Sequence, residues 1–280
     1  MDKNIKIAKE LVGIEKMLVS NAGDDIESMS VDEKINFAKN NTTSPEILEK
    51  LAEDGDDDVR YYVAGNPKTP VDILAKLAED EYAGVRCEVA RNPSTPAEAL
   101  RKLAEDKYWS VKRGVVRNPN TPIEAFITMA EDRDRWVGQE VAENPKTPVD
   151  ILKKLAEDKI DGVIQAVAYN PNTPDDILKK LAEDKNSDVR WAVAENTKTP
   201  ADILRKLADD KDDYVKSAVV DNPNAPVEVL ENWAKDKDRY KRKAVAYNPN
   251  TPTEVLKKLA EDEDERIRRI AERALRKRGQ

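Results

Sequence analysis

Residues 144–169 read NPKTPVDILKKLAEDKIDGVIQAVAY, and this 26-residue sentence recurs in phase before and after itself. Copies begin at Asn40, Asn66, Asn92, Asn118, Asn144, Asn170, Asn196, Asn222 and Asn248, with no insertion between them. Nine units in register, each too short to bury a core alone, imply an array in which neighbours cover one another. Columns are numbered 1 to 26 from the leading asparagine of each unit, and the units are repeats 1 to 9.

Each unit divides into two helices. Columns 4 to 7 read Thr-Pro-x-Asp/Glu, as in Thr69-Pro70-Val71-Asp72 and Thr147-Pro148-Val149-Asp150. The pattern predicts an N-cap threonine, a proline at N1 and an acid at N3 for helix A. Columns 8, 9, 12 and 13, which are Ile151, Leu152, Leu155 and Ala156 in repeat 5, form the stripe that faces a core. Alanine holds column 13 in all nine repeats, the mark of a helix contact too close for a larger side chain. Aspartate holds column 15 in all nine, from Asp54 to Asp262. There it caps helix B or pairs with the basic residue usual at column 21, such as Arg60, Arg86 or Arg190.

Helix B is expected over columns 17 to 25, with valine at columns 20 and 24 and mostly alanine at 25. Asn-Pro at columns 1 and 2 stops it, because the ring removes a donor and pushes the preceding residue out of the helical region. The leading asparagine is expected to satisfy backbone groups at each junction, forming a repeated ladder. All sixteen prolines lie at column 2 or at the start of helix A, so they are punctuation rather than a proline-rich ligand motif.

Residues 1–39 stand outside the repeat. Ile5, Ala8, Leu11, Val12 and Leu18 give a helical stripe, and Ser30-Val31-Asp32-Glu33 reads as a capping box opening a second helix through Ile35 and Phe37. After Glu265 the chain departs again, with Ile267, Ile270, Ala271, Ala274 and Leu275 at helical spacing among arginines. The expected organisation is an N-terminal helical cap over 1–39, a single solenoid domain of nine repeats over 40–273, and the end of a C-terminal capping helix over 274–280. Such an array is expected to be elongated.

Composition narrows the function. The chain has 280 residues, is 37% charged and carries a formal charge of −8, which argues against a general phosphate-backbone binder, so no nucleic-acid partner is expected. No run approaches the length of a membrane span, and MDKNIKIAKELVGIEK is interrupted by charges where a signal peptide needs an apolar stretch. A cytoplasmic monomer is the expectation. Cys87 is the only cysteine and histidine is absent, which removes intrachain disulfides, multi-thiolate metal sites, His-based triads and the commonest metal ligand. No cofactor, no metal and no enzymatic activity are expected.

Asn-Pro-x-Thr-Pro, then x-x-Leu-x-x-Leu-Ala-x-Asp, then Val-Arg-x-x-Val-Ala resembles the leucine-rich repeat variant family of α-solenoids, related in style to HEAT repeats, over residues 40–273. The resemblance implies an all-α fold, a right-handed superhelix of short paired helices, some of them 3₁₀. Some members look to carry an iron–sulfur cluster on an N-terminal cysteine group. This chain lacks those cysteines, so the cofactor is not carried over.

Function has to be read from the columns that vary. On a wheel, columns 20, 21, 24 and 25 of helix B share one side and are nearly constant, whereas 18, 19, 22, 23 and 26 form the opposite stripe, where the repeats disagree. All eight tyrosines lie in helix B columns, and Trp109, Trp136 and Trp191 lie in the variable stripe. Tyr and Trp with Arg, Ser, Gly and Asp between them is the composition of interface hot spots. The candidate ligand-binding residues are Tyr61, Tyr82, Arg86, Tyr108, Trp109, Arg113, Arg135, Trp136, Gln139, Asp161, Gln165, Tyr169, Trp191, Tyr214 and Tyr240. Gly84, Gly114, Gly138 and Gly162 sit where a helix interior avoids glycine; close approach of a partner is one reason for them, and drift in a stable array is the other.

The expected function is non-enzymatic recognition of a protein or peptide by this helix B face, on the concave side, in a natural diversified receptor or an engineered binder. A structural scaffold or spacer without a specific ligand site is the alternative, with surface variation arising by drift. Weaker signals have blander readings. Asp56-Asp57-Asp58 could meet calcium but reads better as a solvated helix start, and Arg239, Lys241, Arg242 and Lys243 could take a phosphate but read better as a solvated face. Cys87 reads as an ordinary exposed thiol.

Overall fold

A computed structural model describes residues 24–279. Ile5, Ala8, Leu11, Val12 and Leu18, the stripe expected near the start, lie outside the described residues. Among the described residues every regular element is a helix, and the architecture is an α-solenoid of two-helix repeats. Helix A takes seven residues in most repeats, as in Val71–Leu77, Val149–Leu155 and Ala201–Leu207, and helix B takes nine, as in Ala83–Arg91, Asp161–Tyr169 and Ser187–Glu195. The chain divides into two compact units between Val137 and Gly138, within helix B of repeat 4.

Within the first unit Val31–Lys39 packs on Asp57–Gly65, that helix on Ala83–Arg91, and that one on Trp109–Arg117. Within the second, Asp161–Tyr169, Ser187–Glu195, Asp213–Asp221, Arg239–Tyr247 and Glu265–Lys277 stack in the same manner. In both units the B helices pack on one another more closely than the A helices do. The capping box at Ser30 is present: its side chain accepts the Glu33 N–H while the Glu33 carboxylate accepts the Ser30 N–H at 2.9 Å.

Helices this short are marginal on propensity, so their stability comes from the packed face. The core is the one the columns indicate: Ile73, Leu74, Leu77 and Ala78 from helix A, and Val85, Val89 and Ala90 from helix B, all buried in repeat 2. Helix A begins differently from the expectation. Its N-cap is the proline, as at Pro70 and Pro200, and no side chain caps it. The threonine hydroxyl turns the other way and donates to a carbonyl in the last turn of the preceding helix B, Thr199 to Val193 at 2.6 Å and Thr251 to Val245 at 2.6 Å. The reason is burial: those carbonyls end a helix inside the protein, where water cannot reach them, whereas the start of helix A is near solvent.

Two ladders join the repeats. The leading asparagine is buried and its Nδ2 donates to two carbonyls one repeat back: Asn92 to Ala64 at 2.8 Å and Asn66 at 2.9 Å, Asn196 to Ala168 at 2.7 Å and Asn170 at 2.9 Å. Its Oδ1 accepts the N–H two residues on, as Asn196 does from Lys198. One side chain thus ends a helix, shapes a turn and fastens the next repeat. The second ladder joins column 21 to the column 15 aspartate of the following repeat. Arg60 meets Asp80, Arg86 meets Asp106, Arg190 meets Asp210 and Arg242 meets Asp262, each through Nε and Nη2, and Nη1 donates to the column 15 carbonyl of its own repeat. The Arg190 guanidinium holds the Asp210 carboxyl below the usual carboxylate range. Capping of helix B falls instead to column 17, where Asp56, Asp134, Asn186 and Asp212 accept an N–H of the first turn.

Candidate recognition face

The ladders occupy one side of helix B and leave the other to solvent. In the first unit exposed rings stand at the start of three B helices: Tyr82 and Tyr108 at column 17, Trp109 at column 18 and Trp136 at column 19 are each about half exposed, at 46%, 45%, 46% and 51%. Cations stand over three of them, with the Arg86 guanidinium 5.8 Å from the Tyr108 ring centre, Arg113 5.6 Å from Trp109 and Arg135 4.3 Å from Trp136. Tyr61 is half-buried, donating to Glu88 at 3.2 Å and meeting Tyr62 edge to face. Arg86 belongs to the ladder: its side chain is only 11% exposed and committed to Asp106.

In the second unit Gln139 donates to Glu143 at 2.8 Å, Asp161 accepts from Asn186 at 3.0 Å, and Gln165 is half-buried. Tyr169 and Trp191 pack edge to face at 5.6 Å. Burial, with Glu195 and Asp188 behind it, pushes the Tyr169 hydroxyl up to about 12. Tyr214 and Tyr240 are strongly exposed, at 81% and 65%.

Several sequence expectations need correction. Column 23 does not face solvent throughout: Ala166, Ala192 and Ala218 are buried, because each helix B is flanked by other B helices and this column lies on a flank. Gly114 stands at the same column, where a Cβ would come 2.8 Å from the Ala90 Cβ, so the close approach that requires glycine there is made by the neighbouring helix. At Gly84 the Tyr82 ring fills the space, its Cε1 2.6 Å from where a Cβ would stand. Cys87 is buried, with Sγ 3.5 Å from the Ser110 carbonyl oxygen, and burial raises its thiol pKa. The cluster at 239–243 is dispersed: Arg242 lies in the ladder, Lys241 Nζ is 3.0 Å from Asp236, and Arg239 donates to the Tyr240 hydroxyl. Asp56 caps the helix that Asp57 and Asp58 open, in keeping with the reading of these residues as a helix start.

Two residues of the variable stripe that were not among the candidates complete the second unit's face. Glu195 and Asp221 occupy column 26, the last residue of helix B, and burial raises the pKa of both, with Asp221 adding to the effect at Glu195. The available signal was the change at column 26 from Gly65, Arg91 and Arg117 in repeats 1 to 3 to Glu143, Tyr169, Glu195 and Asp221 in repeats 4 to 7.

Short paired helices, an inward asparagine ladder and a variable outer stripe define a tandem-repeat protein of the α-solenoid class. The chain is similar to the leucine rich repeat variant family, whose model matches residues 83–107 and 242–264. A solved structure described as a leucine-rich repeat variant with a novel repetitive protein structural motif aligns with a TM-score of 0.59 at 24% identity, over 81% of this chain and 97% of that one. An engineered protein aligns over 94% of this chain and 98% of its own at 19% identity, with a TM-score of 0.39. No curated protein matches the chain. Among the described residues no helix is long and apolar enough to cross a membrane.

Proposed function

We propose that this repeat protein is a non-enzymatic recognition module that holds a protein or peptide ligand against the solvent side of helix B. The carrying observation is the row of half-exposed rings at Tyr82, Tyr108, Trp109 and Trp136, in a chain whose aromatic content is only 5%. Surface tryptophan contributes nothing to these ladders and carries an aggregation hazard, whereas large rigid rings supply contact area at low entropic cost in an interface. The bonds that join repeats use columns 1, 4, 15 and 21, and the exposed rings Trp109, Trp136 and Tyr214 lie outside those columns. This division suits a scaffold whose surface is edited for binding.

The test is selection from a displayed random-peptide library with the full chain, followed by affinity measurement on Trp109→Ala and Trp136→Ala. Enriched peptides whose affinity falls with either variant while the fold persists support the reading. Failure of the library to enrich any sequence that depends on the outer columns of helix B overturns it in favour of a spacer without a specific site.

A further inference from the structure

Three consecutive B helices of the second unit form an acidic patch, bounded on one side by the cationic helix Arg239–Tyr247. Helices Asp161–Tyr169, Ser187–Glu195 and Asp213–Asp221 bear five carboxylates, at Asp161, Asp188, Glu195, Asp213 and Asp221, against two cations, Arg190 and Lys216. Both cations are already used: Arg190 closes a ladder rung on Asp210 with its side chain 6% exposed, and Lys216 Nζ lies 2.6 Å from Asp213. Asp161 accepts the Asn186 amide. Among the described residues no ion pair neutralises Asp188, Glu195 or Asp221.

Rings stand among these carboxylates. Tyr169 and Trp191 form the edge-to-face pair, and the Tyr169 hydroxyl lies within the field of both Glu195 and Asp188. Tyr214, on the next helix, is 81% exposed. A carboxylate beside an aromatic wall is a poor place for an apolar or anionic group. It suits a lysine or arginine side chain, whose charge meets the carboxylate while its methylene stem lies along the ring.

We propose that this face takes an extended peptide segment bearing lysine or arginine; the inference rests on the recognition function proposed above. Register supports an extended segment. Glu195 and Asp221 hold the same column in consecutive repeats, hence one helix spacing apart, about 8–10 Å for packed helices. An extended chain of the polyproline II type advances about 3.1 Å per residue with about three residues per turn, so cations three residues apart point the same way and fall on successive repeats. The charge complementarity also steers the encounter and makes it dependent on ionic strength.

The experiment uses the full chain and three fluorescent peptides of about twelve residues, enough to span roughly four repeats in extended form. Each has a Gly-Ser background with lysine, glutamine or glutamate at every third position, and binding is read by anisotropy at low and high salt. The lysine peptide is expected to bind about tenfold or more tighter than the glutamate peptide at low salt, with the preference shrinking at high salt. E195Q combined with D221N is expected to weaken the lysine peptide about fivefold or more with an unchanged melting curve. Preference for the glutamine or glutamate peptide overturns the cationic assignment while leaving recognition by helix B in place. A lysine peptide bound equally by the double variant overturns the site. If none of the three binds while library peptides do so through helix B, the cationic assignment fails alone; if the library also yields nothing, the underlying function fails with it.

Discussion

The asparagine ladder makes a strong claim about stability, and Asn170→Ala tests it. Asn170 is 1% exposed; its Nδ2 donates to Ala142 at 2.7 Å and to Asn144 at 2.8 Å, and its Oδ1 accepts from Asn172 at 2.9 Å. Truncation removes all three bonds. The Ala142 carbonyl lies in the last turn of a helix with no intrahelical donor to take over, and no water reaches it without opening the junction. Leaving such an acceptor unpaired costs about 1–3 kcal/mol, and the Asn144 carbonyl and the loosened turn add about 1 kcal/mol, since the Asn172 N–H lies near solvent. The expected loss is about 2–4 kcal/mol, or roughly 5–15 °C in Tm for a cooperative unit of this size. Urea and thermal unfolding followed by circular dichroism read both quantities. Asn170→Asp is the sharper variant, because it keeps the shape but points a carboxylate at two carbonyls. It is expected to be less stable than Asn170→Ala at neutral pH and to recover as acid protonates it. A midpoint within about 0.3 kcal/mol of the parent for Asn170→Ala refutes the ladder as a source of stability.

Other expectations follow from the same structure. Arg190→Ala leaves the buried Asp210 carboxylate without its cation and is expected to cost about 3 kcal/mol at neutral pH in a urea melt. The sign of the pH dependence is set by Asp210: its folded pKa is depressed by Arg190, so the pair's contribution is present above the unfolded carboxylate value and is lost as pH falls through the folded one. The parent and Arg190→Ala midpoints should therefore converge in acid, and a constant gap down to strongly acidic pH contradicts the assignment. Gly114→Ala and Gly162→Ala should move in opposite directions: the first drives a Cβ into Ala90 at 2.8 Å and destabilises, whereas the second has Gln139 as its nearest neighbour at 3.7 Å and gains about 1 kcal/mol of helix propensity. Equal shifts in the two melts would show that helix-helix contact does not set the choice of glycine. Trp109→Ala and Trp136→Ala should each leave stability within about 0.5 kcal/mol while weakening a selected peptide by about 2 kcal/mol. Loss of stability with retained affinity would place these rings in the core.

The repeat, the two-helix unit, the core columns and the role of the leading asparagine were all legible in the sequence, because each follows from a local rule applied nine times. Apolar spacing of 3.6 residues marks Ile151, Leu152 and Leu155 as a buried stripe whatever lies opposite, and Asn-Pro ends a helix by chain sterics alone. What the tertiary structure decided concerns the places where one repeat meets the next. Thr199 reads as a cap for the helix that follows it, yet its hydroxyl serves the helix before it, since the buried Val193 carbonyl is the group in need. Column 15 aspartate and column 21 arginine are six residues apart within a repeat, yet Arg190 reaches Asp210 twenty residues ahead, and only stacking brings them together. The wheel likewise has two faces, one inward and one outward, whereas helix B in the array has flanks as well, where Gly114 and Ala192 meet neighbouring helices. A local pattern reports which side of a helix avoids water; it holds no information on which neighbour stands beside that helix, because that contact depends on the spacing of repeats and not on the period of the residues within one.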